Sequence, residues 1–167
     1  PTTQLSGTYG IAGGSDRQVL ADGTTADTAV LNVTVTGNNV SQTMSSGIRF
    51  LANSSGALRA RITNNTVAAP IGDTGSTGIR VDSGTSGGTA VDTSVCLDIK
   101  GNTTAGSVNA AIVGTAPGIG LRKQGGVATV NVFGIVGLSP STATAAQTVT
   151  SVAALNPGSA AGSGDYG

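Results

Sequence analysis

Apolar and polar residues alternate in an eight-residue pattern that returns four times along the chain. The copies read LNVTVTGN from Leu31, LRARITNN from Leu58, VCLDIKGN from Val95 and, more loosely, ATVNVFGI from Ala128. Positions one, three and five are aliphatic, and positions seven and eight favour Gly or Asn. Such a pattern predicts a short strand with alternating faces that runs into a turn. A shorter pattern returns beside it: YGIAG at Tyr9, SGIRF at Ser46, TGIRV at Thr77 and PGIGL at Pro117. Each Gly-Ile copy follows a turn-rich stretch and opens a second aliphatic strand.

The spacing decides how these strands combine. Successive copies of the longer pattern start 27, 37 and 33 residues apart, so the strand is kept while its connections vary. Two strands per repeat, joined by Gly/Ser/Thr/Asn loops of variable length, predict the coils of a parallel β-helix. No window carries the 3.6-residue apolar period of a helical repeat, and regular two-residue hairpin turns of the kind a sandwich needs are absent.

Stacking the copies in register predicts inward columns of Leu31, Leu58, Val95 and Ala128; of Val33, Ala60, Leu97 and Val130; and of Val35, Ile62, Ile99 and Val132. Aliphatic side chains stacked at about 4.8 Å bury one another without aromatic rings. The composition agrees, with 38% hydrophobic residues, 2% aromatic residues and no Trp. In the same register Asn38, Asn65 and Asn102 align at the turn, as three independent turn formers or as an amide ladder. On the outward face of the same strands, Arg61 falls beside Asp98 as an exposed ion pair.

Residues 27–138 are expected to hold about four coils. Residues 1–26 read as an N-terminal segment or incomplete first coil, and residues 139–167 as a C-terminal extension with a flexible end. Within the extension, Thr148 to Leu155 suits a strand or a short helix lying along the stack. No strong capping helix is evident at either end, so neighbouring modules or other copies are expected to cover the terminal coils. Pro1 is not preceded by an initiating Met or a charged-then-apolar leader, which leads us to expect a mature product or an excised piece.

Composition narrows the chemistry. Eight basic and eight acidic residues balance, which leaves no electrostatic footprint for nucleic acid or an anionic membrane. The uncharged stretch from Gln124 to Gly164 is broken too often by Pro, Gly, Ser and Thr to span a bilayer. With no His, Ser/His/Asp and Cys/His catalysis and most zinc sites drop out. Carboxylate chemistry at Asp82, Asp92 and Asp98, near Arg80 and Lys100, would resemble that of polysaccharide-cleaving β-helices. Few aromatic residues are present to hold a sugar, and we expect no catalytic residue and no cofactor. Asp16, Asp22 and Asp27 lack the spacing of a known calcium loop, so no metal is expected. Arg49 and Arg80 occupy equivalent places in the Gly-Ile copies, as a two-step basic ladder or, the favoured reading, a solvated face. The single Cys96 points outward and is expected to be covered by the C-terminal segment, with an intermolecular bond as the alternative.

The stretches VCLDIKGNTTAG, Pro117-Gly118-Ile119 through Lys123-Gln124, and Asn131-Val132-Phe133-Gly134 with Gly137-Leu138 carry a resemblance. They are similar to the C-terminal right-handed β-helix region of large secreted bacterial surface proteins of the adhesin-like, β-strand-repeat type. AALNPGSA at Ala153 resembles the run that follows the last coil there. The likeness is close over residues 95–160, looser over 27–94 and weakest over 1–26. Similar sequences read Arg where this chain has Gly120, and finish with a further strand and a second Cys where it has GSGDYG, which leaves the fate of Cys96 open. The combined expectation is an all-β, right-handed parallel β-helix (solenoid) of about four coils with a C-terminal extension, secreted or at the cell surface. It would be a non-enzymatic unit of an adhesin or of a fibre that grows by end-to-end stacking of copies. Its partners would be neighbouring modules, further copies or a surface glycan. The alternative is a β-helix that binds or degrades carbohydrate.

Overall fold

A computed structural model describes residues 2–4, 9–15, 18–19, 25–26, 30–52, 57–72, 76–83, 94–106, 118–123, 133–136 and 145–159. The elements are, in chain order, β1 (Thr2–Gln4), β2 (Ile11–Ser15), β3 (Gln18–Val19), β4 (Thr25–Ala26) and β5 (Val30–Thr36). There follow β6 (Asn39–Ser41), β7 (Ile48–Ala52), β8 (Ala57–Thr63), β9 (Thr66–Val67) and β10 (Ile79–Ser83). The last are β11 (Ser94–Lys100), β12 (Thr103–Thr104), β13 (Ile119–Lys123), β14 (Phe133–Ile135) and the helix α1 (Ala145–Leu155).

The architecture is mostly β and built from parallel sheets. The long-strand sheet has the order β14-β11-β8-β5, the Gly-Ile sheet β13-β10-β7-β2, and a sheet of short strands β1-β6-β9-β12. Among the described residues, only the small β3–β4 pair is antiparallel. Every step within the three larger sheets joins strands from successive sequence repeats, which is the pairing that a repeated strand pattern predicts.

Register in the long-strand sheet follows the aliphatic columns. Leu31 pairs with Leu58 and Leu58 with Val95; Val33, Ala60 and Leu97 form the next row, and Val35, Ile62 and Ile99 the third. Leu58, Ile62, Leu97 and Ile99 are fully buried, while Leu31 and Val33 at the outer strand are half-buried. One apolar core takes residues from all three sheets, with Val40 and Val67 from the short strands and Ile48, Phe50, Ile79 and Val81 from the Gly-Ile sheet. Burial of this aliphatic surface, at about 25 cal/mol per Å², is the main force holding the sheets together.

The fourth copy departs from expectation. Opposite Val95 stands Phe133, and opposite Leu97 stands Ile135. The places expected for Ala128 and Val130 are thus taken by a strand that starts five residues later than that copy, and Ala128, Val130 and Val132 lie outside the described residues. ATVNVFGI offers aliphatic residues in two overlapping frames, and pairing with β11 selects the frame containing Phe133 and Ile135.

The Gly-Ile motif marks a close approach between sheets. Ile11, Ile48, Ile79 and Ile119 pair in one row. A Cβ placed on Gly10, Gly47 or Gly78 would overlap Val40, Val67 or Thr104 respectively, each a short-strand residue one level further along the stack. Glycine is therefore required here for space.

Candidate functional site

The turn after each long strand repeats one backbone conformation. Gly37, Asn64 and Gly101 have φ of 67°, 56° and 65°, in the left-handed region that Gly and Asn tolerate best. The left-handed residue is thus position seven of the pattern. Position eight (Asn38, Asn65 and Asn102) is free to turn its side chain along the stack.

Those side chains form a ladder. Asn38 donates from its backbone N and its Nδ2 to Asn65 Oδ1, both at 3.0 Å. Asn65 repeats the pair toward Asn102 Oδ1 at 3.0 and 2.9 Å. The remaining Nδ2 proton of Asn65 goes to Val35 O at 3.0 Å, and that of Asn102 to Ile62 O at 2.8 Å. Asn65 and Asn102 are each 1% exposed, so every one of these bonds replaces water that the site excludes. An isolated turn former would need none of these bonds.

The ladder has a fourth member that no repeat announces. Asn102 donates from N and Nδ2 to Asn156 Oδ1 at 3.0 and 2.9 Å, so Asn156, just past the end of α1, stands where the next rung would be. Its Nδ2 reaches Ile99 O at 3.1 Å, the counterpart of the Val35 and Ile62 carbonyls. The imitation extends to the backbone. Gly101 N donates to Leu155 O at 2.8 Å, as Gly37 N does to Thr63 O and Asn64 N to Lys100 O. Ser159 Oγ donates to Asn102 O at 2.9 Å, a place that the Thr66 and Thr103 amides fill at Asn38 and Asn65.

Yet Asn156 does not pass the ladder on. The donors that a rung would offer to the next level turn back to its own helix, N to Ala153 O at 3.2 Å and Nδ2 to Val152 O at 2.8 Å. Asn156 receives a rung and ends the series. Val152 and Asn156 are buried, and Leu155 packs on the core, so α1 caps this end of the stack. The expectation of no capping helix is corrected. The segment from Thr148 to Leu155 is helical, with Ala, Gln and Leu favouring that state and the apolar Val152 and Leu155 on one face.

A second polar cluster lies on the other face of the Gly-Ile strands. Asp82 is fully buried and accepts from Arg80 Nε at 2.9 Å, Arg122 Nε at 3.0 Å and Arg49 Nη2 at 3.2 Å. Arg49 also donates to the Tyr9 hydroxyl, and its guanidinium lies 4.9 Å from the Tyr9 ring centroid. Arg49 and Arg80 pair in register, as the sequence indicated. They are not a solvated face, because their side chains are 26% and 22% exposed and both bind Asp82. A Cβ on Gly120, the next position in that row, would press on Thr77. The third guanidinium comes instead from Arg122, which pairs with Asp82 itself.

The outer face of the long-strand sheet holds an open groove of about 370 Å³ lined by residues that include Asn32, Thr34, Arg59, Arg61, Cys96 and Asp98. Asp98 accepts from Arg61 Nε at 3.0 Å and Lys100 Nζ at 3.1 Å. Its carboxyl is held below the ordinary value, chiefly by the hydrogen bond from Lys100 and against the opposing effect of burial. Cys96 is exposed on this face, which corrects the expectation that the C-terminal segment covers it.

The candidate carboxylates are therefore separated: Asp82 is enclosed by arginines on one sheet, and Asp98 is paired on another. Asp92, Asp16, Asp22 and Asp27 lie outside the described residues. Among the described residues no group of three His, Cys, Asp or Glu side chains could hold a metal ion, and no helix is long and apolar enough to cross a membrane. The residues that sequence reasoning missed, Asn156 and Ser159, belong to a non-repeating segment; the LNPGS run at Leu155 is their only local signal. No protein-family model matches the chain, and neither a curated protein nor a solved structure matches it.

Proposed function

We propose that this chain is a non-enzymatic structural unit, secreted or at the cell surface, that forms the closed end of a right-handed parallel β-helix in an adhesin-like stalk. In this reading the three parallel sheets are the walls of one solenoid, and each sequence repeat is one coil. The carrying observation is Asn156, which accepts the ladder from Asn102 and diverts its own donors to Ala153 and Val152. A device that ends a series suits the last unit of a stalk better than a subunit that propagates at both ends. Engagement of Asp82 by three arginines and of Asp98 by two cations supports a structural rather than hydrolytic use of these carboxylates.

Negative-stain electron microscopy and sedimentation over a concentration series test this reading. Short, dispersed rods at all concentrations are expected. Filaments with a regular axial repeat would overturn the closed-end reading in favour of a polymer subunit. Cleavage of an acidic polysaccharide that is abolished by Asp98→Asn would overturn the non-enzymatic one.

A further inference from the structure

The Asp82 cluster holds more positive charge than its carboxylate matches. Arg49 and Arg80 pair in register on β7 and β10, so their side chains leave the sheet about 4.8 Å apart. Among the described residues, Asp82 is the one acid that either of them meets. Both of its oxygens are taken: Oδ1 accepts from Arg80 Nε and Arg122 Nε, and Oδ2 from Arg80 Nε and Arg49 Nη2. One negative charge thus answers at least two positive ones, where the Arg49 and Arg80 side chains are only 26% and 22% exposed. A half-hidden charge without a counter-ion is costly, and an anion that joins it lowers the cost. Asp98 also serves two cations, but Arg61 and Lys100 are 63% and 54% exposed, so water takes the place of an anion there.

Donors are in surplus as well. Arg49 Nε is buried and has no acceptor. Arg80 turns its Nε edge to Asp82, so the Nη1–Nη2 edge of the planar guanidinium points away from that carboxylate and has no acceptor among the described residues. The Tyr9 hydroxyl oxygen accepts from Arg49 and keeps its own proton to donate. Small residues flank the pair in its row, Ala12 next to Arg49 and Gly120 next to Arg80, so no long side chain of that row stands over the guanidiniums. We propose that the Arg49–Arg80 pair is a binding site for an oxyanion, a carboxylate, sulfate or phosphate group seated on the side of the pair that faces away from Asp82. The Arg80 Nη1–Nη2 edge takes two oxygens of such a group in a bidentate contact, and the Tyr9 hydroxyl adds a donor beside Arg49. Asp82 is a positioning residue here: its bonds to Nε fix the direction in which the free edge of Arg80 points.

The test titrates sodium sulfate into the protein, with sodium chloride adjusted to hold ionic strength constant, and follows the arginine Nε–Hε signals by NMR. Thermal stability is not the readout, because sulfate stabilises folded proteins generally through exclusion from their surface. Saturable shifts of the Arg49 and Arg80 signals are expected. Arg80→Lys keeps the charge but loses the two-oxygen edge, and is expected to weaken sulfate at least about tenfold, the worth of one charge-assisted hydrogen bond. Arg49→Lys is expected to act in the same direction and replaces Arg80→Lys if that variant does not fold. Arg61→Ala, on the other sheet, is expected to bind like the parent. Shifts that do not saturate, or sulfate bound equally by the parent and whichever lysine variant folds, would overturn the site. A soluble polyuronate and acetate, compared at equal carboxylate concentration, separate the sources of the anion. Displacement of sulfate by the polymer alone assigns the site to acidic groups of a glycan, and equal displacement assigns it to free ions; the site stands in both cases.

Discussion

The asparagine ladder and the Asp82 cluster are both half-hidden polar systems, built on opposite principles. The ladder is neutral and repetitive: each amide accepts from the rung before it and donates to the rung after it, so one more rung adds as many donors as acceptors. The cluster is charged and, among the described residues, occurs once: three guanidiniums from three different strands share one carboxylate. Periodic order along the stack is therefore the work of the ladder, while the cluster pins one point on three adjacent strands. Neutral amides also avoid the desolvation cost that a buried row of charges would incur at every level.

The comparison can be broken first at its charged member. Asp82→Asn keeps the shape and removes the anion that three guanidiniums share, and is expected to cost about 3–5 kcal/mol of unfolding free energy in urea titrations. The lower half of that range is expected, since the guanidiniums keep contact with water. A loss below about 1 kcal/mol would show that the cluster is not a closed ionic unit.

The ladder should respond by position. Asn102→Ala strands the Asn65 donors and the Asn156 acceptor in a buried site and is expected to cost about 2–3 kcal/mol. Asn38→Ala, at a half-buried rung, should cost about 0.5–1 kcal/mol in the same titration. Equal costs at the two positions would mean that the amides act as separate turn formers. Asn156→Ala should fall between them, at about 1–2 kcal/mol, and should speed hydrogen exchange at the Asn102 amide before the rest of the stack. If that amide exchanges as before, the helix end does not terminate the ladder.

The smallest effect belongs to the exposed counterpart of the charged cluster. Arg61→Ala is expected to cost about 0.2–1 kcal/mol at low salt and less at high salt, because the Arg61 side chain is 63% exposed. The Asp98 carboxyl ionises at a lower pH when folded than when unfolded. Its contribution is complete above the unfolded value near 3.8 and is lost as pH falls through the lowered folded value. A stability profile in Asp98→Asn with the same slope below pH 4 as the parent would rule that linkage out.

Much of the fold was legible because its determinants are local and repeated. The rows Leu31–Leu58–Val95, Val33–Ala60–Leu97 and Val35–Ile62–Ile99 follow from alternation alone, since a one-residue slip would turn every aliphatic side chain to water. The Asn38–Asn65–Asn102 alignment follows from the same count. The last copy was less legible: a three-residue strand that satisfies only the Val95 and Leu97 rows can be drawn from more than one frame of ATVNVFGI.

What the sequence by itself determined is the repeated strand, its inward face and the turn chemistry beside it. These depend on alternation and on backbone freedom, properties of a few neighbouring residues. Only the tertiary structure decided that Asn156 takes a rung, that Arg49, Arg80 and Arg122 converge on Asp82, and that Cys96 stays exposed. Each of these depends on which surfaces are brought together. Residues 54 positions apart meet at the Asn102–Asn156 bond, and 40 positions separate Arg122 from Asp82. The Asn102–Asn156 bond leaves no periodic trace because Asn156 lies in a non-repeating segment, and the Asp82 cluster leaves none because the residue types at Asp82 and Arg122 do not recur from one Gly-Ile strand to the next, although the two are paired in register.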